Sequence, residues 1–392
     1  MGHDVNSQER MMAAMSLAEP DRVPVMCQLS IGHLLLTTDV TPIDLWFTAE
    51  GCARAWVHAQ RRYHFDGILL NLCGPDRHIF DHIDRMEEDE NAQTIYWKPH
   101  TFGYTHTICP WDELPRNVWP EGESFADFET FDPEKDLPRF LEWLPVSQSM
   151  KYPILPESRL DTMRVVKSMT HGDISLHGEV FSPWDYYLAT FGFEQAIMAI
   201  MDSPGKAHAI LEGYTELCIK WAVEQVREGL HAITLASPWA GGGFISRQHY
   251  REFVLPYERK VNTAIRQAGA FCCTHTCGAL GDRLDLLIDS ETCGIECLDP
   301  PPIGNVELEE AKALTQGKVF IKGNIDSVNV LLRATPDQVK ADARRRLDAA
   351  MKGGGYILST ACSVAPRVPP RNLEVLYDVV EQYGRYDTST NP

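Results

Sequence analysis

Eight short apolar or β-branched runs recur along this 392-residue chain, at residues 23–27, 67–72, 174–179, 232–236, 270–274, 294–298, 319–322 and 356–359. Most are followed by an amphipathic stretch long enough for a helix, such as PGKAHAILEGYTELCIKWAVEQVREG or PDQVKADARRRLDAAMKGG. A strand, a helix and another strand in alternation give parallel pairing, because the helix carries the chain back to the starting end of the sheet. Eight such units predict a TIM-type (β/α)8 barrel in one domain; fewer would leave an open doubly wound sheet. Residues 73–173 break the rhythm. Rich in Trp, Pro and acids, they read as a long insertion after the second strand. Such an insertion serves as a lid at the barrel mouth or stays a surface loop without a part in binding. Inside it, QTIYWKPHTFGYTHTI predicts a β-hairpin turning near residues 100–103. Ser7 is read as the cap of a first helix that Pro20 ends, and residues 384–392 as a disordered tail.

Charge and cysteine usage exclude several classes. A formal net charge of -19 repels nucleic-acid phosphates and anionic membranes, so neither is expected as a partner. No apolar stretch approaches the ~20 residues of a membrane span, and MGHDVNSQER lacks the apolar core of a secretory signal. The 11 cysteines are odd in number and scattered, which argues against a disulfide framework and for a reducing cytoplasm.

Barrel chemistry sits where strands end at their C-termini. Reading just past each run gives Asn71 and Cys73, Glu179, Ser237 and Trp239, His275 and Cys277, Asp299, Asn324 and Asp326, and Cys362. His275 and Cys277 are two apart, so a strand end places both side chains on one side of the backbone. Imidazole and thiolate are zinc ligands; three protein ligands leave a catalytic position open. Cys362, past the eighth run, is the natural third. Cys272 and Cys273 read as core, and Cys293 and Cys297, flanking the sixth run, as weaker ligand candidates. The alternative is that all of these are core residues, since free cysteine is among the most buried residue types.

THTCGAL, KGNID and GGGYILSTACSVAPRVPPRNLEVL resemble the uroporphyrinogen decarboxylase superfamily. More narrowly they resemble its corrinoid-dependent methyltransferase branch, which acts on methanol- and methylamine-derived methyl groups and on methoxylated aromatics. The resemblance runs from SQERMMAAMSLAEPDRVPV to about Tyr383 and is strongest after residue 230. It implies a TIM barrel and a catalytic zinc held by His275, Cys277 and Cys362. It also implies a corrinoid supplied by a separate carrier protein. Asp76-Arg77-His78 is similar to the start of a corrinoid-binding loop, but Asp81 stands where that loop needs glycine. True uroporphyrinogen decarboxylases carry an arginine-rich stretch after the first strand to grip substrate carboxylates. Here the stretch reads MCQLSIGHLL, without arginine.

The resemblance therefore points to a zinc-dependent methyltransferase of the O-demethylase type. It would move a methyl group between a small donor and the cobalt of the carrier. Glu179 is expected as a fourth ligand or as proton donor to the leaving oxygen. Asp299, Asn324 and Asp326 are expected to orient substrate or the ligand histidine; Asn324 to Asp326 reads equally as a supporting turn. Trp184, Tyr186 and Tyr187 of FSPWDYY, with Trp239, offer flat apolar surfaces for a methoxylated aromatic, or an aromatic cage for a quaternary amine. The same rings read equally as packing. AGGGF, residues 240–244, reads as an anion cradle or as a flexible loop. Two other readings remain: a tetrapyrrole decarboxylase, and a non-catalytic zinc-stabilised scaffold of a corrinoid complex.

Overall fold

The structure is a computed structural model that describes residues 5–72, 74–120, 122, 125–139, 143–146, 150–153 and 155–387. Seven parallel strands form one sheet with neighbours in chain order. They are β1 (Gly67–Leu70), β2 (Ser175–Phe181), β3 (Ala232–Ala236), β4 (Phe271–Thr276), β5 (Gly294–Cys297), β6 (Phe320–Ile325) and β7 (Tyr356–Thr360). Residues 23–27 take the eighth place. Val25 bridges Leu358 of β7 in parallel. On the other side, the Asp66 N–H donates to the Val25 carbonyl at 2.8 Å. The sheet thus closes into the expected barrel, and one extended segment makes the seam.

Five of the seven strands are buried at every position, as expected where helices cover the outside and side chains fill the inside. That double burial explains why they read as continuous apolar runs. Long helices such as Pro204–Glu228 and Pro336–Ala350 follow strands. The second begins with a capping box between Thr335 and Gln338.

The first helix, Ser7–Met15, closes the barrel floor. Met11 and Met15 pack against Met26, Leu69, Cys273, Phe320 and Ile357 from the strand starts. Its cap is Asn6 and not Ser7: Asn6 and Glu9 satisfy each other's backbone N–H groups. The Ser7 hydroxyl instead donates to Asp66 at 2.8 Å. The floor is thus plugged, and the cavity that holds His275, Cys277 and Cys362 lies at the C-terminal strand ends.

The insertion contains a four-stranded antiparallel sheet of Ile83–Glu88, Ala92–Trp97, His106–Pro110 and Arg116–Val118. Its middle pair is the expected hairpin. A second pair joins Trp143–Val146 to Met150–Pro153. Glu113 and Leu114, just before the last strand of the first sheet, reach the wall of the cavity at the barrel mouth. Cys73 lies outside the described residues.

Residues 384–387 are tied to the barrel, contrary to the expected disorder. The Gly384 carbonyl accepts from Val23 N–H at 2.8 Å. The Tyr386 hydroxyl donates to the Met351 carbonyl at 2.8 Å. Backbone pairing with residues 21–23 and the anchored Tyr386 hydroxyl together override the polar composition of this stretch. Residues 388–392 lie outside the described ones. Among the described residues no helix is long and apolar enough to cross a membrane.

Candidate metal centre

On β4 alternate side chains face inward. Cys273 belongs to the packed floor. His275, two residues on, lines the cavity above it, and Cys277, two further, stands at the rim. Cys297 ends β5 and Cys362 follows β7. One ligand atom from each of His275, Cys277, Cys297 and Cys362 lies within 4.8 Å of all the others. The Cys277 Sγ is 3.3 Å from His275 Nε2 and 3.7 Å from Cys362 Sγ. Zinc–sulfur bonds of ~2.3 Å in a tetrahedron place two sulfurs about 3.8 Å apart. The donor set, one imidazole and three thiols, is therefore of the size and softness that zinc takes.

Cys297 is the member that sequence weighed least. Its backbone has φ +86°, and Leu298 follows at +58°. Two consecutive left-handed residues, neither of them glycine, break the strand's alternation at its last position. Cys297 also donates to Asp299 Oδ2 at 3.2 Å, and that oxygen accepts from Gly278 N–H at 2.7 Å. Asp299 thus ties the β5 end to the loop that carries Cys277.

The electrostatics suit a bound cation. Hydrogen bonds from Cys277 and Cys297, together with His275, hold the Cys362 thiol well below its usual range. Burial disfavours a charged His275, but the sulfurs of Cys277 and Cys362 and the Glu296 carboxylate outweigh it and raise the imidazole well above its ordinary value.

Behind the cluster, β4, β5 and β6 place His275, Glu296 and Lys322 in register. Lys322 Nζ donates to Glu296 Oε1 at 2.5 Å, both side chains being fully buried. Glu296 Oε2 and His275 Nδ1 are 4.0 Å apart, and neither has another partner. The two buried atoms face each other without a hydrogen bond between them, which leaves Glu296 as the group positioned to take the Nδ1 proton of the histidine whose Nε2 faces the sulfurs. Glu296→Gln should weaken zinc binding about ten- to a hundredfold, read by competition with a chelator. Unchanged affinity would remove Glu296 from the site.

The other expected residues separate clearly. Glu179 lines the cavity but is not in the four-residue cluster. Asn324 and Asp326 serve the scaffold. Asn324 donates to the Leu298 carbonyl and accepts from Arg346. Asp326 accepts from the N–H groups of Val328 and Asn329, capping the next turn.

The four expected aromatic side chains do not line the cavity. Trp184 stacks on Tyr187 at 5.7 Å and Tyr186 on Tyr214 at 5.5 Å. Their helix, Pro183–Phe191, is covered by Phe128 and Phe131 of the insertion. Trp239 sits on the outer rim against Phe244, 43% exposed. Gly241 of AGGGF lies so close to the Cys277 carbonyl that a Cβ would come within 2.3 Å. Close packing, rather than an anion, accounts for that glycine.

The cavity itself measures about 610 Å³. Besides His275, Cys277 and Cys362, its wall includes Gln28, Trp46, Asn71, Glu113, Glu179 and Phe181. Gln28, Trp46 and Phe181 were missed because nothing in their local sequence marks them. Only the closed barrel brings them to the same cavity as His275, Cys277 and Cys362.

A family model described as uroporphyrinogen decarboxylase (URO-D) matches residues 142–383. Uroporphyrinogen decarboxylase of Ruthia magnifica is 25% identical over 235 residues, 57% of this chain and 65% of that protein. This chain thus spans just under two thirds of that relative's length. The methylcobamide:CoM methyltransferase MtbA of Methanosarcina mazei is 25% identical over 175 residues, 45% of this chain and 49% of that one. A solved methyltransferase from Methanosarcina mazei superposes with a TM-score of 0.72 at 17% identity. It covers 97% of this chain and 99% of its own, and at that identity the likeness concerns the fold.

Proposed function

This chain belongs to the uroporphyrinogen decarboxylase family, and from that premise we propose that it is a zinc-dependent methyltransferase rather than a decarboxylase. The reading is carried by the cluster of one imidazole and three thiols at the mouth of the cavity. Removing carbon dioxide from an acetate side chain gives such a cluster no task. Gripping a tetrapyrrole's carboxylates needs cations, and no Lys or Arg is among the described residues that line the cavity. The methyltransferase relative supports the same choice.

In this proposal His275, Cys277 and Cys362 hold zinc and leave one position open, while the neighbouring Cys297 keeps its proton on the hydrogen bond to Asp299. When bound, zinc supplies Lewis acidity to a donor oxygen. The methyl donor is a methoxylated aromatic whose ring lies against Trp46 and Phe181. The acceptor is the cobalt of a corrinoid on a separate protein. A non-catalytic scaffold would leave an open, 610 Å³ cavity over the metal without purpose.

Glu179 holds the proton for the leaving oxygen. Burial pushes its carboxyl from 4.5 up to about 7, so near neutrality it is still partly protonated and able to donate. Raised in the fold, it binds its proton more tightly there than in the unfolded chain. Stability from this group therefore falls as pH rises from 4.5 through about 7. Activity should fall over the upper part of the same range, as the proton is lost. The test is methyl transfer from 2-methoxyphenol to cob(I)alamin by zinc-loaded protein, followed across pH. Glu179→Gln should lower the rate about a hundredfold or more and abolish the alkaline fall. Absence of any cobalt methylation across a panel of methoxylated aromatics would end the O-demethylase reading.

A further inference from the structure

Among the described residues the partly exposed cysteines are Cys277, Cys293 and Cys362. The first and last belong to the proposed zinc site. Cys293 does not, and it stands against a second thiol. β4 and β5 run in parallel with Cys273 opposite Gly294, so one residue earlier Cys272 stands opposite Cys293. The Cys293 N–H donates to the Cys272 carbonyl at 3.0 Å and to its sulfur at 3.2 Å. The Cys272 thiol donates to the Cys293 sulfur at 3.5 Å. By strand alternation both side chains lie on the opposite face from His275 and Glu296, away from the metal site.

Both thiols are free, yet their placement suits a bond between them. Residues paired across neighbouring strands are about 4.8 Å apart, inside the range of roughly 4.4–6.8 Å between the Cα atoms of a disulfide. Closing the sulfurs from 3.5 Å to a bond of about 2 Å is a short movement shared by two side chains, and it leaves the strand register as it is. The two thiols are also unequal. The hydrogen bond from Cys272 and the charge of Arg266 hold the Cys293 thiol below its ordinary range, against burial that raises it. Burial keeps the Cys272 thiol, which is fully covered, well above its own. Cys293 is thus the accessible and more readily ionised partner, and Cys272 the sheltered one. An attacking and a resolving cysteine divide their work in this way.

We infer that Cys293 and Cys272 form a reversible oxidation site for hydrogen peroxide, which closes to a disulfide joining the starts of β4 and β5. The Cys293 sulfur attacks one peroxide oxygen and the O–O bond breaks. The released hydroxide leaves as water with the proton of the Cys293 thiol, and Cys293 becomes a sulfenic acid. The Cys272 sulfur then attacks the Cys293 sulfur and the S–O bond breaks. The hydroxyl leaves as water with the Cys272 proton. The two thiols together lose two electrons, and peroxide gains them. This site is independent of the proposed methyl transfer. It gives the chain a first target for oxidant, apart from the thiols of the metal cluster.

Hydrogen peroxide added to the zinc-supplemented full chain without reductant, followed by mass spectrometry of tryptic peptides, tests it. Peptides 267–283 and 284–312 should become joined with loss of two hydrogens. That link should form about tenfold faster than any other cysteine among the described residues is oxidised. Dithiothreitol should separate the peptides again. Cys293→Ala should abolish the link. In Cys272→Ala, Cys293 lacks its resolving partner and should run on to a sulfinic acid that dithiothreitol does not reverse. The same peptides hold Cys273, Cys277 and Cys297, so fragment spectra and the two variants assign the sulfur pair. A link that survives in Cys293→Ala, earlier oxidation of Cys277 or Cys362, or no link in the parent protein would overturn the inference.

Discussion

Cys362→Ser should leave the purified protein with almost no zinc, against an expected content of about one ion per chain in the parent. The residue contributes the sulfur whose thiolate form the surroundings favour most, through Cys277, Cys297 and His275. It is also the ligand that comes from the far side of the sequence, so its loss opens the cluster across the β7 end. Zinc affinity depends on deprotonated ligands, and an alcohol at this position stays protonated at neutral pH. Cys277→Ser should behave alike. Cys297→Ser should differ: burial holds this thiol well above its usual range and it donates to Asp299, so it is the least ready of the three to act as a thiolate ligand and zinc should stay bound. Metal analysis of the three variants, purified without chelator, reads all of this. Full zinc in Cys362→Ser would dissolve the proposed centre, and the thiols would then be ordinary packing. Methyl transfer by the zinc-free variants should fall to the uncatalysed level.

The second large effect lies at the other end of the barrel. Asp66 is fully buried, and its carboxylate accepts from Arg10 at 2.7 Å, from Arg22 at 2.8 Å and from the Val25 N–H at 2.8 Å. It therefore links the first helix, the seam segment and the entry to β1. Asp66→Ala should cost about 3–5 kcal/mol, the usual penalty for leaving buried charges without their partner. The seam is paired to β7 through few backbone bonds, so it should open first and expose the Met-lined floor. Urea unfolding followed by circular dichroism gives the loss, and proteolysis near residues 20–30 gives its place. A change below about 1 kcal/mol would mean that Asp21 and Glu381, the other partners of these arginines, hold them unaided. Zinc content should survive, since floor and mouth are opposite ends of the barrel.

The strands were legible because barrel strands are apolar on both faces, and each run therefore stands out whatever its neighbours do. His275 and Cys277 were legible for a local reason too: two residues on one strand share a face by alternation alone. Cys362 followed from counting strands, since barrel order makes the eighth strand end a neighbour of the same rim. The rings of Trp184, Tyr186 and Tyr187 show where such reasoning stops. They follow a strand end, but the insertion lies over their helix, and burial from both sides leaves them as core.

The chain by itself determined the parallel barrel, the hairpin in the insertion and three of the four atoms in the cluster. These depend on periodicity and on strand order, which are properties of short segments and their sequence. Only the tertiary structure decided that Cys297 turns into the cluster, through two left-handed residues at a strand end. It alone decided that Glu296 and Lys322 stand behind His275. Those relations join residues far apart in sequence, and their geometry exists only once the sheet has closed.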